Sequence, residues 1–482
     1  MTRSRGNIFS GIDLLAVALY IALSLIGFVS IFSATWDEQS ADVFSLSHEY
    51  IKQAMWIGVG WLLGFILLLS ESRYYHMLAY YAYGAGIVAL LAVLLFGREV
   101  NGAKAWFEIG SVRIQPVEFV KIAIALAVAR MMSAATFSIS RAGDLFRLAA
   151  IILLPLGIIV AQNDTGSGIV LGSLIFVLYR EGLNKWLCIP VIFVALLFVV
   201  SFVVQPDVLL ASLVIIFTLS EAMLNNMWRS RIRFLAAIFL GSFVIQGVQA
   251  MLGGNMQYYQ SLLISSAAGV VVAAVYAFRN NMRNIFIIIA LYLSSMIFLP
   301  MSDIFFNSVL KPHQQVRILN FLGLKEDLRD TGYNVHQSKI AIGSGGFAGK
   351  GYLKGTQIKY GFVPEKHTDF IFCTIGEEWG FLGSIVVLAL LMLLILRIMR
   401  MGDRQREAFG RIYCYCVAAI LLMHILINIG MTIGLIPVMG IPLPLISYGG
   451  SSFVAFTLMI FIAINIDAST QRHNAAFGGA LY

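Results

Sequence analysis

Charged side chains are scarce in this chain, and their scarcity excludes an ordinary soluble domain. Of its 482 residues, 12% are Asp, Glu, Lys or Arg and 59% are hydrophobic. Soluble domains carry about 25% charged residues. No soluble core could bury so much apolar surface. Despite the net charge of +8, the composition therefore predicts an all-α polytopic membrane protein rather than a nucleic-acid-binding protein.

Cysteine and histidine are also few, and their positions argue against a disulfide framework or a metal site. The seven His show no metal-ligand spacing, and the four cysteines form no Cys-x-x-Cys pair. All four cysteines lie in or beside apolar runs, where cysteine is usually a small core hydrophobe. We therefore predict core positions for Cys188, Cys373, Cys414 and Cys416.

No clear cleavage site follows the basic N-terminus, so we interpret the first apolar run as a retained span rather than a signal peptide. A span needs about 20 mostly apolar residues. On this criterion we predict about fourteen spans. Their approximate ranges are 12–33, 51–70, 77–96, 114–132, 146–162, 165–181, 185–204, 208–224, 232–252, 258–278, 284–301, 370–398, 411–435 and 447–467.

The loops between these spans place both termini in the cytoplasm. Lys and Arg collect in the predicted inner loops, as the positive-inside rule requires, and most predicted outer loops are acidic or neutral. Two outer loops break the rule, residues 97–113 and 302–369. The second carries nine Lys/Arg and six Asp/Glu in 68 positions. We therefore predict a large extracytoplasmic loop that contains the chemistry.

The long loop ends in GFVPEKHTDFIFCTIGEEWG, where Asp369 joins an apolar helix predicted to start at Phe370. A carboxylate there would lie at the edge of the bilayer, within reach of water and of a lipid headgroup. The alternative is that Asp369 only caps the helix. Upstream, Lys350 and Lys354 alternate with six glycines. The N–H groups of such a loop could face an anion, or the glycines could serve plain flexible turns.

Three further motifs place polar groups at predicted membrane boundaries. Glu118 and Lys121 can pair on one helix face, either for function or as a helix end that snorkels to the interface. Asp164 in QNDTGSG suits a helix N-cap, a catalytic role, or both. Three prolines between residues 437 and 444 should break the helix before Ser447. Broken backbone at membrane depth lines a cavity or is buried in protein.

Taken together, these motifs resemble the SEDS family of shape, elongation, division and sporulation proteins, which includes RodA, FtsW and SpoVE. The matching blocks are QPVEFVK, QNDTG, PHQQVRI, GYNVHQSKIAIGSGGFAGKG, GTQIKYGFVPEKHTDFIFCTIGEEWGFLG and PLPLISYGGSS, in this order. PHQQVRILNFL and the glycine-rich block are more similar to RodA than to FtsW. The departures, at Val117, Asn163 and residues 362–364, remove no charged position.

The resemblance implies a peptidoglycan glycosyltransferase that polymerises lipid II at the outer face of the bacterial cytoplasmic (inner) membrane during cell elongation. It also implies a class B penicillin-binding protein as transpeptidase partner, beside membrane proteins of the elongation machinery. The family's catalytic Asp matches Asp369, and its charged pair matches Glu118 and Lys121. Family members usually have ten spans. The surplus, about residues 183–282, fits four inserted spans within a single membrane domain of residues 1–482.

The implied reaction inverts the sugar linkage, and a single displacement needs a base. Asp369 is the candidate base. Support is expected from Glu118, Lys121, Glu365 and His367. Substrate contacts are expected from Asp164, Arg317, Lys350, Lys354, Gln357 and Ser447. The scheme requires no cofactor, although a divalent cation (Mg or Mn) could share the phosphate role.

Three alternatives remain open from the sequence. A flippase of the lipid-linked precursor would also suit many spans and broken helices, but its charged groups should line a path open to both sides. A division polymerase similar to FtsW would use the same chemistry. A non-catalytic scaffold for a partner enzyme would not need an Asp at the boundary between water and lipid.

Overall fold

The structure is a computed structural model. It describes residues 11–36, 48–100, 102–110, 112–184, 204–254, 256–280, 282–304, 312–321 and 331–478, and the single residues 193, 197, 200, 201, 306 and 308. The chain divides into two compact units. The first unit is Met1–Leu183 with Glu326–Tyr482, and the second is Asn184–Lys325.

Helices make up most of both units. In chain order they are α1 (Leu14–Thr35), α2 (Glu49–Leu69), α3 (Arg73–Phe96), α4 (Pro116–Met132), α5 (Ala142–Ala161), α6 (Thr165–Gly172), α7 (Leu174–Arg180), α8 (Pro206–Asn225), α9 (Trp228–Met251), α10 (Tyr258–Arg279), α11 (Arg283–Ile304), α12 (Pro312–Phe321), α13 (Thr331–Ser344), α14 (Thr356–Lys359), α15 (Ile371–Asp403), α16 (Ala408–Thr432) and α17 (Gly450–Gly478). Helices α8 to α12 belong to the second unit.

Ten of the helices in the described residues are long and apolar enough to cross a membrane, so the chain is a multi-pass membrane protein. They are α1, α2, α3, α5, α8, α9, α10, α15, α16 and α17. Helix α4 has only 17 residues, and the predicted span 165–181 is interrupted between Gly172 and Leu174. The predicted span 185–204 lies almost wholly outside the described residues. The count of fourteen therefore stays a prediction.

The all-α prediction was wrong at one place, because residues 98–114 form a small antiparallel sheet. Its strands are β1 (Arg98–Val100), β2 (Ala103–Ile109) and β3 (Val112–Ile114), in the order β1-β2-β3. Arg98 pairs with Trp106, and Phe107 pairs with Ile114. Asn-Gly at positions 101–102 is a strong hairpin signal in the sequence. The strands are too short to show a clear alternating pattern.

The predicted loop of residues 302–369 is also partly helical, since α12, α13 and α14 lie within it. Helix α13 is packed into the first unit: Ala341 is fully buried, and Ser338 Oγ donates to Thr432 O at 2.9 Å. Whether the segment is extracytoplasmic is a matter of topology and stays a prediction. So does the predicted insertion of residues 183–282, which overlaps the second unit.

Helix α15 is kinked at Gly380, whose φ is 66°. Residues 345–351, here called the glycine loop, pack into this kink. The N–H groups of Phe381 and Leu382 donate to Gly346 O and Phe347 O at 3.0 and 3.1 Å. A Cβ on Gly349 would lie 2.1 Å from Glu378 O. Glycine is therefore required here for close backbone approach.

The first unit has two chemically different ends. At one end, here called the basic end, Arg397 on α15 and Arg404 at its C-cap hold Asp13, which caps α1, at 2.8 and 2.6 Å. Arg404 also pairs with the buried Asp467 of α17. At the other end of α15 lies Asp369, and we call it the Asp369 end. Which of the two ends faces the cytoplasm stays a prediction.

The second unit has its own apolar core, formed by side chains of α8 to α11 such as Leu210, Leu262 and Tyr292. Glu221 on α8 and Arg231 on α9 form an ion pair of 2.6 Å inside it, with side chains 6% and 4% exposed. Arg231 also lies 5.0 Å from the ring centroid of Tyr276. This buried pair joins α8 to α9.

Candidate active site

Asp369 lies in a tight turn, residues 365–370, here called the Asp369 turn. Glu365 has a positive φ of 51°, and its carbonyl accepts the N–H groups of Thr368 and Phe370, both at 3.2 Å. Thr368 Oγ1 donates to Glu365 Oε2 at 2.8 Å. Glu365 thus braces the turn with both its carbonyl and its side chain. The helix begins at Ile371 with Phe370 at the N-cap, one residue later than predicted, so Asp369 precedes the cap position.

Residues 433–449, here called the proline segment, lie against the Asp369 turn. The predicted break in the helix is confirmed, because α16 ends at Thr432 and α17 begins at Gly450. Gly440 has a φ of 68°, and a Cβ built on it would lie 3.6 Å from Asp369 Oδ2. The N–H of Tyr448 donates to His367 O at 2.9 Å. The carboxylate of the half-buried Asp369 therefore lies close to Gly440 of the proline segment.

His367 and Lys366 add an imidazole and an ammonium within the same turn. His367 Nε2 lies 3.2 Å from Glu49 Oε2, at the start of α2, and its ring centroid lies 5.7 Å from that of Tyr448. Lys366 Nζ donates to Ile358 O. Burial lowers the pKa of the Lys366 ammonium below its usual range. Burial likewise raises the pKa of the Tyr448 hydroxyl.

The predicted pairing of Glu118 and Lys121 is confirmed. Lys121 Nζ lies 2.8 Å from Glu118 Oε1, and the two side chains are 0% and 2% exposed. The snorkelling alternative is therefore wrong, because a snorkelling head reaches water. Lys121 Nζ also lies 2.7 Å from His424 Nε2 on α16, a partner that the sequence did not predict.

Asp164 is the N-cap of α6, as one of the two interpretations of its motif predicted. Its side chain accepts the backbone N–H and the hydroxyl of Ser167 at 3.1 and 2.8 Å. Gln115 Nε2 donates to the same carboxylate at 3.0 Å, which links α6 to the residue just before α4. These bonds use Asp164 structurally, and its role toward a substrate stays a prediction.

The glycine loop holds its N–H groups against α15 rather than presenting them to an anion. Lys350 N and Gly351 N donate to Glu377 O and Glu378 O, both at 3.0 Å. The Lys350 side chain also turns inward, with Nζ 2.7 Å from Glu377 Oε1. The fully buried Glu377 further accepts the N–H groups of Gln357 and Ile358 at 2.9 and 3.1 Å. The interpretation of the glycine N–H groups as an anion cradle was therefore wrong at these positions.

The other residues predicted to contact substrate lie in different surroundings. Lys354 is exposed beside the glycine loop, whereas Gln357 Oε1 is buried. Ser447 Oγ accepts the N–H of Leu443 at 2.8 Å and so braces the proline segment. Arg317 lies on α12, which belongs to the second unit. The described residues contain no group of three or more His, Cys, Asp or Glu that could hold a metal ion.

Five functional candidates escaped the sequence reasoning: Glu49, Lys366, Glu377, His424 and Asn428. Each contacts a predicted site residue or its neighbour. Lys366 and Glu377 lie in the block around Asp369 but were given no role, and the other three lie in no quoted motif. The available signal was a polar side chain inside an apolar run, as in CVAAILLMHILINIG for His424 and Asn428. The prediction that the cysteines are core residues is confirmed for three of the four, and Cys188 lies outside the described residues.

The chemical capacity of this site follows from its layout. A carboxylate lies at one end of a membrane-spanning bundle, with an imidazole and an ammonium in the same turn and a buried ammonium near the start of α4. Such a set can accept a proton at Asp369 and can balance the charge of an anionic group bound beside it.

The chain is similar in sequence to known proteins over most of its length. The family model FTSW_RODA_SPOVE, described as "Cell cycle protein", matches residues 13–218 and 208–472. The peptidoglycan glycosyltransferase RodA of Treponema pallidum is 32% identical over 469 residues, covering 95% of this chain and 98% of the relative. The peptidoglycan glycosyltransferase MrdB of Escherichia coli is 29% identical over 460 residues, covering 95% and 92%.

Solved structures share the fold. A chain from a peptidoglycan synthase complex that coordinates polymerization and crosslinking superposes with a TM-score of 0.58 at 24% identity, covering 95% of this chain and 97% of that chain. The crystal structure of the rod shape determining protein RodA of Thermus thermophilus superposes with a TM-score of 0.54 at 23% identity, covering 95% and 97%.

Proposed function

The chain belongs to the FtsW/RodA/SpoVE family, as the sequence blocks predicted, and from this we propose that it is a RodA-like peptidoglycan glycosyltransferase. It polymerises lipid II into glycan strands during cell elongation. The observation that carries the proposal is the position of Asp369, a half-buried carboxylate held by a braced turn at the end of α15 opposite the basic end. The two curated relatives described above carry the same activity in their names.

The reaction is a single inverting displacement at the anomeric carbon of the donor sugar. The 4-hydroxyl oxygen of the acceptor forms a bond to this carbon, and the bond from the carbon to the pyrophosphate oxygen breaks. The electron pair leaves with undecaprenyl pyrophosphate, and Asp369 takes the hydroxyl proton as general base. Pyrophosphate is a good leaving group, so cations can replace the general acid that a glycosidase needs.

Several cations of the described residues are available for the departing pyrophosphate. Lys354 is exposed near the Asp369 end, and Lys366 lies within the turn itself. Lys350 is 27% exposed and would have to give up its bond with Glu377 to reach a substrate. Lys121 is fully buried, so we assign it to the shape and electrostatics of the site rather than to direct contact. A divalent cation, Mg or Mn, could share this role.

We place the active face outside the bacterial inner membrane, with four inserted spans in the second unit and fourteen in all. The positive-inside rule supports this orientation, because Arg397, Arg400 and Arg404 lie at the end of α15 away from Asp369. The proposed transpeptidase partner is a class B penicillin-binding protein. The structural likeness to a chain of a peptidoglycan synthase complex supports such an assembly.

The direct test is polymerisation of lipid II by the purified protein together with its transpeptidase partner. We expect a polymer that does not extract together with the lipid II substrate. Muramidase should digest this polymer to disaccharide units. Flipping of labelled lipid II across vesicles without polymer formation would contradict the proposal and favour the transporter.

Labelling of single cysteines tests the orientation. Tyr360 is 72% exposed near the Asp369 turn, and Arg406 is exposed just after α15. In spheroplasts we expect a membrane-impermeant maleimide to label the Tyr360→Cys variant before lysis and the Arg406→Cys variant only after lysis. The reverse pattern would place Asp369 in the cytoplasm and overturn the mechanism. The wild-type chain controls for its own thiols, three of which are buried.

A further inference from the structure

Asn428 joins the Asp369 turn to the proline segment. Its side chain is fully buried in α16, and its Nδ2 atom donates to Asp369 O at 2.8 Å and to Ile441 O at 2.7 Å. An amide nitrogen has two hydrogens, so both bonds can form at once. No other uncharged side chain of similar size and shape offers two donors from one atom. The residue type is therefore matched to two carbonyl acceptors.

The two acceptors lie on either side of the candidate base. One is the carbonyl of Asp369 itself, and the other belongs to the residue after Gly440, over which the Asp369 carboxylate lies. The bond from Tyr448 N to His367 O ties the same two segments together at 2.9 Å. Asn428 thus sets the distance between the Asp369 turn and the part of the proline segment that lies close to the Asp369 carboxylate.

One face of α16 extends this connection to the buried charged pair. His424 lies four residues before Asn428, which is about one helical turn. An ammonium group can donate hydrogen bonds but cannot accept them, so Lys121 Nζ donates to His424 Nε2 at 2.7 Å. His424 Nδ1 is then left to donate to Pro442 O at 3.3 Å. His424 and Asn428 therefore bind neighbouring carbonyls of the proline segment, at Pro442 and Ile441.

From this geometry we infer that Asn428 is a positioning residue for Asp369. It holds the carboxylate at a defined place on the proline segment while His424 anchors the next carbonyl to the Glu118–Lys121 pair. The inference deepens the proposed function and rests on it, since positioning matters only if Asp369 acts on the substrate. A purely structural amide would satisfy two buried carbonyls without affecting the rate of the chemical step.

The chain contains a matched control. Asn465 on α17 is 2% exposed, and its Nδ2 donates to Leu67 O at 2.7 Å and Ser70 O at 3.0 Å. Like Asn428, it has a buried Oδ1 that finds no hydrogen-bond partner among the described residues. Its acceptors lie at the end of α2, a helix of 21 residues that begins at Glu49 beside His367. Roughly 30 Å of helix therefore separates them from the Asp369 end.

The first experiment compares Asn428→Ala and Asn465→Ala in lipid II polymerisation, using folded protein recovered by gel filtration. Both variants should lower the melting temperature by similar amounts. We expect Asn428→Ala to lower kcat by about 10- to 100-fold with little change in KM, since a small misplacement of a catalytic group costs about this much. Asn465→Ala should keep kcat within about threefold. Equal kcat values for the two variants would overturn the inference. If either Ala variant fails to fold, the Asn428→Ser and Asn465→Ser pair repeats the comparison.

The second experiment repeats Asn428→Ala in an Asp369→Asn background. If Asn428 acts through Asp369, the double variant should turn over at the rate of Asp369→Asn alone, because residues that act as a unit are not additive. A further loss of 10-fold or more would show that Asn428 acts independently and would overturn the inference. Normal turnover of the single Asp369→Asn variant would instead contradict the role of Asp369 as general base. The proposed function itself would fail only if the wild-type protein made no polymer, so the failures are distinguishable.

Discussion

Replacing Asp369 with Asn is expected to leave a folded protein that binds its partner but makes almost no glycan. The substitution keeps the shape of the side chain and leaves untouched the backbone carbonyl to which Asn428 donates. It removes the charge and the basicity. Because general-base catalysis contributes about 10²- to 10⁴-fold, we expect a loss of that size in polymerisation of lipid II.

The structural alternative for Asp369 predicts a different result. Asp369 precedes the cap position, so this alternative is a structural role beside the helix start, where Asp and Asn are about equally good and the substitution would be nearly silent. Asp144 is a suitable control, because it is a mostly buried carboxylate near the start of α5, paired with Arg141 away from the Asp369 end. Asp144→Asn should keep turnover within a few-fold of wild type. If Asp369→Asn did so as well, the assignment of the base would return to Glu365 or Asp164.

Replacing Glu118 with Ala is expected to cost both stability and activity. Among the contacts described above, Glu118 supplies the only carboxylate that pairs with Lys121. Its loss would leave a fully buried ammonium without that partner. Removing one partner of a buried ion pair costs about 3–5 kcal/mol. A lowered melting temperature and a reduced rate per folded molecule should both be measurable, by thermal unfolding and by polymerisation of lipid II.

A double substitution separates the two roles of this pair. Glu118→Leu with Lys121→Met replaces the ion pair by apolar side chains of similar volume, a change that is often neutral or stabilising. We expect the double variant to regain most of the lost stability yet to stay impaired in polymerisation. Recovery of full activity together with stability would mean that the pair serves packing alone.

Sequence reasoning succeeded where the determining interactions are local. Glu118 and Lys121 are three residues apart, so helical geometry alone puts them on one face, and the structure pairs them. Asp164 precedes a helix and caps it. No helix forms across the three prolines between α16 and α17, where the sequence predicted a break. The sheet strands between residues 98 and 114 were not predicted, although Asn-Gly at positions 101–102 is a hairpin signal, because that loop was interpreted from its hydropathy and charge.

Sequence reasoning failed where a bond joins distant parts of the chain. Asn428 and Asp369 are 59 positions apart, and Lys121 and His424 are 303 apart. Residues so far apart in the sequence show no periodic pattern from which their contact could be predicted. Lys350 was predicted to face an anion, but Glu377, 27 residues away, takes its ammonium and the neighbouring backbone N–H groups. Such partners become visible only when the helices are packed.

By itself, the sequence determined that this chain crosses a membrane many times, that its charge lies mostly at helix ends, and that Asp369 stands at one such end. These properties depend on composition and on the spacing of a few neighbours. Only the tertiary structure decided that Asn428, Gly440 and Tyr448 form the surroundings of the Asp369 turn, and that His424 connects the buried pair to them. The physical reason is that a buried polar group must find a partner, and which partner it finds depends on the packing of α4, α15 and α16.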